Sequence, residues 1–136
     1  MNKINEVIND IIRRLEALRE ALSDLEGERT EVTEIKPENV DVIRVSRVLS
    51  AAAHRDRARI LTLLYPDGKY FTELKKAIGL ANSALYFHLK VLQDSGIVEQ
   101  EYSRGKYILT ELGKRLVVVM WEITRLLETM DKGLLK

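Results

Sequence analysis

The sequence predicts a mainly α-helical protein with one small β-hairpin, in which a compact central unit is flanked by long N- and C-terminal helices. Three observations predict it. Apolar residues recur at steps of three and four over Ile4–Leu25, Leu85–Leu92 and Leu112–Met130, the period of one helix face. Extended, β-branched character marks Ile97–Tyr102 and Lys106–Thr110, around a turn at Ser103-Arg104-Gly105. The composition, 46% apolar and 32% charged in 136 residues, suits one ordinary core with a solvated surface.

The central stretch is LANSALYFHLKVLQDSGIVE, from Leu80 to Glu99. Leu85, Leu89 and Leu92 make one helical stripe, and Asp94-Ser95-Gly96 punctuates its end, with Gly96 able to take a left-handed C-cap. Away from the stripe stand Asn82, Ser83, Tyr86 and Lys90, side chains that hydrogen-bond to bases or phosphates. A helix with one apolar face and one donor–acceptor face suits a major groove. Before it, Phe71–Ile78 forms a short amphipathic helix with Leu74, Ala77 and Ile78 on one side, and Gly79 opens a tight turn into the next helix. After it comes the hairpin, with Arg104 and Lys106 on either side of Gly105.

Helix, glycine turn, helix and basic-tipped hairpin in this order make a winged helix-turn-helix. Here the chain resembles the ArsR-type family of archaeal and bacterial transcription regulators, from about Val48 to Val117. The resemblance rests on Arg57-Ala58-Arg59-Ile60-Leu61, Glu73-Leu74, Leu85-Tyr86-Phe87-His88-Leu89-Lys90-Val91-Leu92, Gly96-Ile97-Val98 and Tyr107-Ile108-Leu109-Thr110-Glu111-Leu112-Gly113. It implies a dimeric protein that binds duplex DNA. The family often uses Arg57 in a structural ion pair, and it usually carries small or polar residues where this chain has Tyr86 and Phe87. Those aromatics could stack on sugar or touch a thymine methyl, or Phe87 could pack on the wing; sequence preference therefore does not transfer from relatives. Metal sensing, common in the family, finds no support: there is no cysteine, and the C-terminal helix has no histidine.

The absence of cysteine also excludes disulfides and thiol redox switches. The N-terminus carries acids among its apolar residues and lacks a signal-peptide core, and the longest apolar run, Leu116–Trp121, is far too short to span a bilayer. A cytoplasmic, nucleoid-associated protein with no membrane partner is expected. Net charge is only +1, but it is unevenly placed. Residues 1–40 hold six Lys and Arg against ten Asp and Glu, and residues 41–136 hold sixteen against eleven. The basic excess accompanies the helix-turn-helix, as phosphate binding requires.

In chain order, residues 1–27 read as an amphipathic, coiled-coil-like dimerisation helix. Ile4, Ile8, Ile11, Leu15, Leu18, Leu22 and Leu25 form a heptad seam, widened by Val7 and Ile12 and ended by Gly27. The alternative is that this helix folds back on its own chain. In a parallel pair Arg14 would meet Arg19 of the partner subunit, which disfavours an isolated parallel zipper. Residues 28–39 are a polar connector in which Val32–Ile35 could form a short strand. Pro37 is placed to open a helix from about Glu38 to Ala53, with Val40, Ile43, Val48, Leu49 and Ala52 facing inward. Residues 40–111 form the winged helix-turn-helix. His54-Arg55-Asp56 interrupts before a further helix to Tyr65; most arginines on such a helix are merely solvated or paired, and the alternative is that Arg55 or Arg57 meets phosphate. Residues 112–136 form a second dimerisation helix, with Leu116, Val119, Ile123, Leu126 and Met130 stepping by four and three.

The leading functional expectation is a homodimeric DNA-binding transcription regulator. Asn82, Ser83 and Tyr86 would read base edges, and Thr72, His88, Lys90, Arg104 and Lys106 would hold the backbone. Thr72 could equally be a simple helix cap, and His88 a partly buried structural residue. Two alternatives stand: a low-specificity DNA-organising protein, and a winged-helix module that docks other proteins. An enzyme is not expected, since the two histidines show no nucleophile–base pairing and there is no phosphate-binding glycine loop. Neither a metal nor another cofactor is expected. Operator, direction of regulation and any small-molecule effector are not written in the sequence.

Overall fold

The computed structural model describes residues 2–32 and 34–133; for residues 24–32 it describes the backbone. The chain divides into two compact units, residues 1–40 and 41–136. The first is a single long helix, α1 (Asn2–Val32), followed by a 3-10 turn at Pro37–Asn39. Gly27 does not end α1. One interior glycine costs about 1 kcal/mol against alanine, and good helix formers surround it, so the helix runs on for another turn. Val32 is accordingly helical rather than extended. Every described side chain of α1 up to Ser23 is exposed, including the seam Ile4, Ile8, Ile11, Leu15, Leu18 and Leu22; the Leu25 side chain lies outside the described residues.

The second unit is built on α2 (Val42–Ala52), α3 (Arg55–Leu64), α4 (Phe71–Ile78), α5 (Asn82–Asp94), β1 (Val98–Gln100), β2 (Tyr107–Leu109) and α6 (Glu111–Asp131). α2 starts later than the sequence suggests. Pro37 opens only the 3-10 turn, and Asp41 caps α2 by accepting from Arg44 N at 3.1 Å. Its inward face also differs. Ala51 is buried with Val48 and Ala52 packed beside it, whereas Val40, Ile43 and Leu49 are exposed. Periodicity tells which residues share a face but not which of two apolar faces meets the core. A small residue at the contact lets α2 approach its neighbours closely.

α3 is the hub, packing against α2, α4, α5, α6 and β2. Ile60, Leu61 and Leu64 point into a core completed by Leu74 of α4, Leu85, Leu89 and Leu92 of α5, and Ile97 and Val98 at the hairpin. Each large side chain removed from water there contributes about 1.5–3 kcal/mol. Gly79 and Gly96 adopt φ of 77° and 76°, the left-handed values at which a Cβ is penalised, and so turn the chain sharply after α4 and α5.

The hairpin is antiparallel, with Val98 opposite Leu109, Glu99 opposite Ile108 and Gln100 opposite Tyr107. The strands are shorter than the β-branched runs that predict them. A further rung comes from outside the hairpin. Lys69 N donates to Tyr107 O at 3.0 Å and Tyr107 N to Lys69 O at 2.8 Å, which ties the segment before α4 to the wing.

Thr110 joins the wing to α6. Its hydroxyl donates to Gly96 O at 2.6 Å and accepts from Gly113 N at 3.1 Å, capping α6. Thr110→Val keeps the side-chain shape and removes both bonds. The expected loss is about 1–2 kcal/mol in urea unfolding, and an unchanged midpoint would show that the cap contributes nothing.

Candidate nucleic-acid interface

The 3.6-residue period of α5 sorts its side chains as the stripe predicts. Leu85, His88, Leu89 and Leu92 are buried; Asn82, Ser83, Tyr86, Phe87 and Lys90 are exposed. The exposed face runs on to the start of α4 and to the wing. Tyr70, Phe71, Thr72, Tyr86, Ser103, Arg104 and Tyr107 line a cleft of about 520 Å³ between these three elements. Thr72, Tyr86 and Arg104, far apart in sequence, therefore share one concave surface.

Several of the expected contact residues are already engaged. The Asn82 amide oxygen accepts from Lys75 Nζ, so the side chain faces outward chiefly as an N–H donor. Ser83 makes no such bond among the described residues and is exposed. Tyr86 stacks on Phe71, with ring centroids 4.1 Å apart and planes at 19°, and remains 54% exposed. Stacking of this kind is worth about 0.5–1.5 kcal/mol, so Tyr86 is a held wall of the cleft rather than a freely projecting reader. Phe87 does not pack on the wing. It is 60% exposed and lies edge-on to His88 at 5.6 Å.

The cations divide in the same way. Lys90 is exposed and paired with Asp94 at 3.3 Å, an i,i+4 contact worth well under 1 kcal/mol in solvent, so a phosphate can displace it. Lys106 is half-buried, with its ammonium 5.5 Å over the Tyr70 ring. Arg104 is exposed at the tip and has φ of 64°, a left-handed conformation costly for a residue with a Cβ. The turn that imposes it is closed by Gly105 N donating to Tyr102 O at 2.7 Å and by Gln100 Nε2 donating to Gly105 O at 3.0 Å. Thr72 is exposed in the first turn of α4 but does not cap it; that cap is Tyr70, whose N–H donates to Glu73 Oε1 at 3.0 Å.

Of the two places expected for His88, the DNA backbone and a partly buried structural position, the residue takes the second. It is only 8% exposed and points inward, where Arg57 Nη1 donates to its Nδ1 at 3.2 Å and Asp56 Oδ2 lies 3.9 Å from its Nε2. A side chain enclosed in this way cannot reach the DNA backbone. Burial first, then the nearby His54 and Arg57, push the imidazole below its usual range, with Asp56 acting the other way. Arg57 is likewise internal: its Nε donates to Ala51 O at 2.5 Å, so it bridges α2, α3 and α5. Arg59 donates to Ala77 O at 2.9 Å at the end of α4. Of the alternating arginines, Arg55 remains exposed with no side-chain partner among the described residues.

Sequence reasoning passed over Lys75, the half-buried Gln100 and the capping role of His54. The N-cap of α3 is His54, whose Nδ1 accepts from Asp56 N at 3.1 Å. His54, Asp56 and His88 also form a cluster whose ligating atoms lie within 4.8 Å of one another, close enough to raise the question of a metal. The hydrogen bonds do not suit one. An imidazole bound through Nε2 carries its proton on Nδ1 and donates it, whereas here both Nδ1 atoms accept.

Both helices expected to serve dimerisation carry exposed apolar side chains. On α1, Ile8, Ile11, Leu15, Leu18 and Leu22 are exposed. On α6, Val119, Ile123, Leu126 and Met130 are exposed, whereas Leu116 is half-buried against the core. No helix among the described residues is long and apolar enough to cross a membrane.

A family model described as a helix-turn-helix domain matches residues 52–101, from the end of α2 through β1. No curated protein matches the chain. Among solved structures, the chain is similar to the transcriptional repressor BigR from Xylella fastidiosa, at 27% identity and a TM-score of 0.52, covering 74% of this chain and 90% of that one. It is similar to the homodimeric winged helix-turn-helix DNA-binding domain of Mb0332 from Mycobacterium bovis, at 24% identity and 0.57, covering 68% and 88%. A transcriptional regulator of the MarR family from Enterococcus faecalis V583 aligns at 20% identity and 0.63, covering 72% and 94%. The shared feature is the winged helix-turn-helix itself, common to regulators of more than one family.

Proposed function

We propose that this chain is a homodimeric transcription regulator of the ArsR type that binds duplex DNA. The observation that carries the reading is α5: a helix anchored by Leu85, Leu89 and Leu92, whose outer face presents Asn82, Ser83 and Lys90 beside a cleft edged by Thr72, Tyr86 and Arg104. In this reading Asn82 and Ser83 meet base edges and Tyr86 forms a fixed apolar wall against sugar or a thymine methyl. Lys90, Arg104 and the first turn of α4 hold phosphates, and Lys106 braces the wing from beneath. The exposed faces of α1 and α6 pair two copies, which sets two α5 helices about 34–36 Å apart on successive major-groove turns. Such a protein works on the nucleoid, in the cytoplasm.

The test is duplex binding as a function of salt, with molecular mass measured in the same buffer. A dimer that neutralises about eight phosphates gives a slope of about −7 for log affinity against log salt. Preference for one palindromic fragment supports a specific regulator. Equal affinity for every fragment supports a DNA-organising protein instead. Absence of binding at low salt would sink both and leave the protein-docking module.

A further inference from the structure

The two histidines of this chain are 34 positions apart in sequence and yet stand with ring centroids 4.5 Å apart. His54 caps α3, and His88 lies on the buried side of α5. We propose that His54, His88 and Arg57 form an acid-opened latch, which fastens α5 to the start of α3 while both imidazoles are neutral and releases it when they are protonated.

The argument is one of lone pairs. A neutral imidazole has a single accepting nitrogen, and a guanidinium can only donate. With Arg57 Nη1 at 3.2 Å, His88 Nδ1 must be the acceptor, and its proton sits on Nε2, on the side of Asp56. His54 Nδ1 is likewise occupied, by the backbone N–H of Asp56 at 3.1 Å. In both rings the nitrogen that an added proton must take already faces an N–H. Protonating His88 turns the Arg57 contact into two opposed donors, between groups that are both positive. Protonating His54 removes the acceptor that caps α3 and puts a cation at the positive end of that helix. The charged groups facing His88 are Arg57 and Asp56 of α3, and His54 before it; Asp56 alone favours the charged ring. Protonated His88 therefore turns from Arg57 towards Asp56, and Arg57 keeps only its bond to Ala51 O.

The direction with pH follows from the lowered proton affinity of His88. The unfolded chain, with an imidazole near 6.5, takes the proton first. The contribution to stability is complete above about pH 6.5 and is lost as pH falls below that towards the folded value. The folding equilibrium then weakens by up to about tenfold per pH unit for the His88 proton.

The experiment is a proton NMR titration of the full chain, in which the imidazole signals report on this cluster alone, together with urea unfolding at pH 7.5 and 5.0. His88→Asn leaves an amide oxygen near the Nδ1 position to accept from Arg57, and His54→Asn keeps an N-cap; neither titrates here. The expected result is a His88 imidazole that titrates below 6.5 and an acid loss of stability that largely disappears in H54N/H88N. If that variant does not fold, the wild-type titration still decides. A His88 imidazole that titrates at or above 6.5, or an equal acid loss in the double variant, overturns the latch. So does tight binding of zinc chloride that shields the imidazoles from acid, since the cluster would then be a metal site. The consequence for DNA rests on the DNA-binding reading: wild-type affinity should fall on acidification about tenfold more than that of H54N/H88N. If no DNA is bound at any pH, that reading fails while the titration and unfolding still judge the latch.

Discussion

In the DNA-binding reading, replacing Lys90 and Arg104 together by alanine is expected to lower affinity for duplex DNA by about a thousandfold near 0.1 M salt. Two charged contacts per chain make four in a dimer, and at about 1 kcal/mol each they sum to about 4 kcal/mol. The same change flattens the salt dependence by about four units of slope, because four fewer counterions are released. Both side chains are exposed, and Lys90 gives up only a weak surface pair with Asp94. The variant should therefore unfold at the same urea concentration as wild type. Anisotropy titrations across a salt series check it. An unchanged slope would remove Lys90 and Arg104 from the phosphate contacts. By contrast, Ser83→Ala is expected to alter the ranking of DNA sequences with little change in slope, the mark of a base contact.

The second large effect concerns folding. A methyl group added at Gly113 would lie 2.3 Å from the backbone oxygen of Ile97 and 3.1 Å from Leu109 Cδ2. The Ile97 carbonyl cannot yield easily, because it accepts from Thr110 N at 3.1 Å and belongs to the corner where the wing turns into α6. Gly113→Ala should cost about 3 kcal/mol or more and lower the midpoint of thermal unfolding by more than about 10 °C. Circular dichroism measures it directly. A shift of only a degree or two would mean that α6 can move away from the hairpin freely.

Much of this architecture can be read in the sequence because it is encoded locally. Leu85, Leu89 and Leu92 announce the buried face of α5, Gly79 and Gly96 mark the turns, and Ser103-Arg104-Gly105 marks the wing. What escaped depends on distant partners. The rung between Lys69 and Tyr107 is one residue long and leaves no alternation to detect. The inward direction of α2 is set by Ala51, a side chain with little signal of its own. His88 sits in a run of exposed and buried positions where one residue of helical phase separates a phosphate contact from the core. For its partner Arg57 the sequence leaves a solvated, a paired and a phosphate-facing side chain open; the residue is internal and bridges three helices, closest to the structural role that the resemblance implies. The Tyr86–Phe71 stack also joins residues whose contact no spacing rule predicts. The helix α5 was thus legible as an object, while the engagement of Asn82, Tyr86 and Lys106 by their neighbours was not.

The Lys69–Tyr107 rung has a mechanical consequence. Two backbone hydrogen bonds tie the lead-in to α4 to the returning strand of the wing, so the two sides of the cleft are coupled through one backbone rung. A tilt of the hairpin would carry the first turn of α4 with it. In the DNA-binding reading, a duplex of altered groove width would then be met by both sides of the cleft together rather than by an independently flexing arm. The coupling of the two sides would then set how far the DNA, rather than the protein, has to bend.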